Sequence, residues 1–112
     1  MASARFDLPK ERRRSVRVPR RVPLTLSHGL DSCNARSVVI SANGALVKSN
    51  APFLENTAVL VINNALGIWA EAWVISARPA AEPGRFAIAL GFTEAAPVFW
   101  GKDYSQGLDP LP

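Results

Sequence analysis

Arginine is the residue type whose clustering could do chemistry in this chain. Six arginines fall in the eleven positions from Glu11 to Arg21, and Arg13-Arg14-Ser15-Val16-Arg17 has the form R-x-x-x-R. A guanidinium is a planar fork. It can bond a phosphate through two parallel N–H groups, pair with O6 and N7 of a guanine, and stack on a flat ring. A second short element, Ser41-Ala42-Asn43-Gly44, has the form S-x-x-G. Its serine supplies a hydroxyl that can donate to an oxyanion or a base acceptor. Its glycine allows a backbone to turn, or to approach a ligand with no Cβ in the way. The same four residues also read as plain hairpin chemistry, with Asn43-Gly44 able to take positive φ. No nucleophile and base stand paired in the sequence. One histidine and one cysteine cannot make a tetrahedral zinc site. No catalytic residue, metal ligand or cofactor is assigned, and the chain reads as a binding protein and not an enzyme.

The charge is local. Eight of the thirteen Lys and Arg residues lie at or before Arg21, against Asp7 and Glu11, so the first 21 residues carry +6 and the remainder −2. A pI near 10.0 and a concentrated basic arm point to an anionic partner: nucleic acid, nucleotide, phosphate or acidic membrane. The single Cys33 excludes an intrachain disulfide, which fits a reducing, cytoplasmic setting. The N-terminal charges are not followed by an apolar run, so no signal peptide is expected. The apolar runs at 58–62 and 86–90 fall far short of the roughly 20 residues a membrane helix needs.

The elements that must position these groups are strands. Residues 22–27 alternate apolar and polar, and 33–41, 45–49, 58–62, 68–78 and 85–92 follow, separated by turn signals. The loop over 50–56 holds Pro52, and residues 79–84 break the long run before the last strand. Strands at hairpin spacing with no sustained helical period make an all-β barrel or sandwich of one domain. Pro19 and Pro23 disfavour helix around the second arginine pair, so the arm is extended from Arg17 into the first strand. The expected division is a flexible arginine-rich arm over 1–21, a β domain over 22–101 and a frayed tail over 102–112. A short helix is expected over 93–101, with Thr93 as N-cap and Val98, Phe99 and Trp100 docking on the barrel. Val74, Ile88, Leu90 and Phe92 are expected to face inward. Trp69, Trp73 and Trp100 are read as core, His28 as a turn residue and Cys33 as a small hydrophobe.

In this order and β context, R-x-x-x-R, S-x-x-G and the terminal strand Ala87-Ile88-Ala89-Leu90-Gly91-Phe92 resemble the PilZ family of bacterial second-messenger receptors, over residues 11–92. The resemblance implies a six-stranded antiparallel barrel and a nucleotide ligand, cyclic di-GMP. It implies Arg13 and Arg17, with Arg12 beside them, on the phosphates and guanine faces, and Ser41 and Gly44 on the barrel surface. The family pattern has Asp or Asn two positions before the serine; here that position is Val39. The resemblance further implies a mobile arm that closes over the barrel on binding and signals to an effector protein, as yet unidentified. Two rivals stand beside it. One is a degenerate module of the same kind that binds a protein and no nucleotide, which Val39 favours. The other is a basic-arm nucleic-acid binder, although specific nucleic-acid recognition is not expected.

Overall fold

The structure is a computed structural model that describes residues 17–96 and 98–101. Seven strands run in chain order: β1 (Val18–Pro19), β2 (Pro23–His28), β3 (Asp31–Ser41), β4 (Gly44–Ser49), β5 (Ala58–Asn63), β6 (Ile68–Pro79) and β7 (Phe86–Phe92). Around the barrel the order is β3-β2-β5-β6-β7-β4, and β4 returns to pair with β3, closing the sheet. Every pairing is antiparallel. The chain is therefore an all-β, six-stranded barrel with one extra short strand, as expected. Closure removes the sheet edges that would otherwise offer unpaired N–H and C=O groups.

The core follows from alternation. Leu24, Leu26, Ile40, Val47, Val61, Val74, Ile88 and Leu90 point into the barrel and are buried. Each such side chain contributes about 1.5–3 kcal/mol by leaving water. Phe92 is half-buried against the same core. Two of the strands are too long to remain straight, and each carries a bulge. In β3 the register against β4 shifts between Ser37 and Val39, and in β6 the register against β7 shifts between Val74 and Ser76. The extra residues, Val38 and Ile75, let the strands bend around the barrel.

Strand pairing starts inside the stretch assigned to the arm. Val18 lies opposite Ile40 and Pro19 opposite Val39, so β1 runs along the far half of β3 while β2 covers the near half. Ser37 holds the step between them. Its buried hydroxyl donates to the Arg20 carbonyl and accepts from the Val22 amide at 2.8 Å. Ser37→Ala would leave both backbone groups without that partner. It is expected to lower stability by about 1–3 kcal/mol, read as a fall in the urea midpoint. An unchanged midpoint would mean that water satisfies both groups. The rest of the arm, residues 1–16, and the tail, residues 102–112, lie outside the described residues.

Four local expectations are corrected. Among the described residues of 93–101 there is no helix, only bends and turns. The Thr93 amide instead extends the sheet by bonding the Glu71 carbonyl at 2.9 Å, and Pro97 supplies no amide for a helical ladder. Phe99 and Trp100 do dock, at 1% and 5% exposure, but Val98 points outward at 59%. Trp69 and Trp73 are not core: they sit on the outer face of β6, 61% and 47% exposed, because the inward positions of that strand fall to Ala72 and Val74. Finally, Ala42 and Asn43 form the two-residue turn, and Gly44 already belongs to β4, opposite Ser41. Of the described non-glycine residues Asn56 alone has positive φ, so Asn43 does not adopt the conformation that Asn-Gly turns favour.

Candidate functional site

The bulge at Val38 decides which β3 side chains face outward past it. Ser37 and Ile40 are buried, so Val39 and Ser41 share the outer face. Strand β1 then carries the arginine to them. The antiparallel register that sets Pro19 against Val39 and Val18 against Ile40 brings Arg17, one residue on, level with Ser41. Arg17, Val39, Ser41, Asn43 and Gly44 all line one groove of about 620 Å³ on the outside of the barrel. Its remaining walls are apolar: Leu46 on β4, Ala89 and Gly91 on β7, and Ile75 at the β6 bulge.

The turn at the end of this groove is braced from behind. The Trp100 indole N–H donates to the Ser41 carbonyl at 2.8 Å. The Ala96 amide donates to Ala42 O, and the Phe92 amide to Asn43 O, each at 2.8 Å. Three successive carbonyls are thus held by the C-terminal segment, which leaves the Ser41 side chain on a fixed base. Its hydroxyl accepts from the Asn43 amide at 3.1 Å and reaches Gly44 O only at 3.5 Å. That second contact is long enough for a better acceptor to take the proton.

Gly44 has a structural duty that precedes any ligand. A Cβ there would come within 2.0 Å of the Leu90 carbonyl oxygen, so the β4–β7 pairing itself demands glycine. The groove floor is similarly thin. A Cβ on Gly91 would meet Ile75 Cδ1 at 2.9 Å, so Ile75 lies over Gly91. Leu46, Ile75 and Ala89 thus give the groove an apolar lining beside the arginine.

Of the residues singled out in the sequence, Arg17, Val39, Ser41 and Gly44 are thus brought together, and Arg12 and Arg13 lie outside the described residues. Sequence reasoning missed Leu46, Ile75 and Ala89. Alternation turns Leu46, Ala89 and Ile75 outward alike, but which outward residues meet in one groove depends on how the strands pair. Arg36 is in a neighbouring groove. Cys33 is elsewhere in the barrel, its thiol pushed up by burial against an opposing hydrogen bond with Ser49. Among the described residues no group of three His, Cys, Asp or Glu side chains could hold a metal ion. Nor is any described helix long and apolar enough to cross a membrane.

Comparison with known proteins gives one family. The family model described as PilZ domain matches residues 11–97. No curated protein matches the chain.

Proposed function

The chain belongs to the PilZ domain family, and on that premise we propose that it is a receptor for cyclic di-GMP that passes the binding event to a partner protein. The observation that carries this reading is the shared groove. Arg17, just before β1, and Val39, Ser41 and Gly44 from the β3–β4 hairpin line it together. Such a ligand has two phosphodiester charges, guanine acceptors and flat purine faces. Arg17 suits the phosphates and the guanine edge. Ser41 supplies a donor on a braced turn, and the apolar lining of Leu46, Ile75 and Ala89 suits a purine face. Arg12 and Arg13 would add further charge from the arm, closing over the ligand as it binds. The setting proposed is cytoplasmic, with no enzymatic role and no cofactor.

Calorimetric titration with cyclic di-GMP at physiological salt tests this. Binding that survives excess GTP and duplex DNA supports a receptor. Loss to DNA with a steep salt slope supports a nonspecific arm instead.

Val39 favours the second reading, a module that binds a protein and no nucleotide. It is on the groove wall where an acceptor for guanine N–H donors would stand, and donors left unpaired there cost about 1–3 kcal/mol each. Affinity is therefore expected to be micromolar or weaker. Val39→Asp should tighten binding by about tenfold or more, in a paired titration with circular dichroism to check folding. If the parent does not bind and the variant gains nothing, the protein-binding reading stands.

A further inference from the structure

A second groove, of about 390 Å³, adjoins the first on the β3–β4 face, and its chemistry differs. Leu46 lines the first groove and Lys48 the second. Being two residues apart on β4, their side chains emerge on the same face about 7 Å from each other. Arg21, Arg36, Lys48 and Arg85 converge there, with Asn50 and the single acid Glu82.

Arg36 and Lys48 are directly opposite one another across the β3–β4 pairing. Like charges in that position repel at a Cβ separation of about 5 Å and destabilise the sheet unless an anion lies between them. The internal counter-ion is partial. Among the described residues the one ion pair is Lys48 Nζ to Glu82 Oε1 at 2.9 Å, between exposed side chains. That contact, with a smaller contribution from Arg85, holds the Glu82 carboxyl below its usual range. Arg21, Arg36 and Arg85 form no ion pair among the described residues. Three guanidinium groups and one ammonium offer more donors than the two oxygens of a carboxylate can take up, and a phosphate presents more oxygens to them. No aromatic ring lines the groove, so it lacks the aromatic platform on which nucleobases are usually stacked.

We propose that the groove of Arg21, Arg36, Lys48 and Arg85 is a separate phosphate-binding site that reads phosphate oxygens and no nucleobase. The phosphate comes either from a small phosphorylated molecule or from a nucleic-acid backbone. Glu82 is the resident anion that the ligand displaces from Lys48.

The test is an amide-shift titration of the whole chain with inorganic pyrophosphate at physiological salt. Shifts should cluster at residues 34–38, 48–50 and 82–85. They should be lost in R36Q/R85Q. The E82Q variant should bind about threefold or more tightly, since it removes the competing charge. R36Q/R85Q should leave cyclic di-GMP titration in the first groove within about threefold, which separates this site from the proposed receptor function. Salt dependence with duplex DNA then identifies the source. A log–log slope shallower by about 2 in R36Q/R85Q supports a nucleic-acid backbone, because each lost phosphate contact removes about 0.9. Pyrophosphate shifts with an unchanged DNA slope support a small phosphate. Shifts confined to residues 17–21, or equal binding of polyglutamate, would overturn the proposal.

Discussion

Phe99→Ala should destabilise the barrel by about 3–5 kcal/mol. The ring is 1% exposed and meets Phe92 at 5.2 Å and Trp100 at 4.7 Å, both edge-to-face. Removing it costs the transfer of the ring from water and leaves a hole that the barrel walls cannot fill by collapsing. The backbone role of Phe99, whose carbonyl accepts from Asn63 Nδ2 at 2.9 Å, survives the change. The loss is therefore one of packing. Domains of this size have about 5–15 kcal/mol in hand, so the variant should melt about 12 °C or more below the parent. Its neighbour provides the control. Val98 points outward, so Val98→Ala should stay within about 0.5 kcal/mol. Equal melting temperatures for Phe99→Ala and the parent would show that the packing of the C-terminal segment on the core adds nothing to stability.

Arg17→Ala should weaken cyclic di-GMP binding by about tenfold to a hundredfold, the loss of one charge-assisted contact worth about 1.5–3 kcal/mol. The side chain is exposed and makes no ion pair among the described residues, so the fold should be indifferent to its removal. Arg13→Ala should behave similarly, on the strength of the R-x-x-x-R spacing alone. Calorimetry of both variants, with melting curves alongside, reads affinity apart from stability. Parent-like binding by both would remove the arginines from the site. Arg17→Lys is a useful third arm: it keeps the charge and loses the planar fork. Recovery by lysine would mean that attraction alone suffices.

Strand positions were largely legible because period-two alternation and turn residues act locally. The runs read at 22–27, 58–62 and 85–92 fall within a residue or so of β2, β5 and β7. Legibility stopped where a residue's orientation depends on a partner strand. Nothing at Val38 distinguishes a bulged valine from a paired one, yet that position decides that Val39 and Ser41 reach the groove. Trp69 and Trp73 were read as core because aromatic residues suit buried strands, but the phase of β6 turns them out. The second half of the candidate site was visible as motif residues. Its proximity to Arg17 was not, since β1 is two residues long and carries no strand signature of its own.

The closure that β4 makes with β7 also sets when the groove can exist. Its walls come from β3 and β4 on one side and β6 and β7 on the other, and Trp100 braces Ser41 from 59 residues away. A ribosome adding about 5–20 residues per second would complete the Arg17–Ser41 edge seconds before the opposite wall and its brace emerge. During that interval Arg17 is present but the groove is not, so a nascent chain carries the charge of the candidate site without its shape. Pairings between distant segments also slow the final step, to about milliseconds or longer for barrels of this kind. A ligand of this groove would have nothing to capture until the last strand is seated.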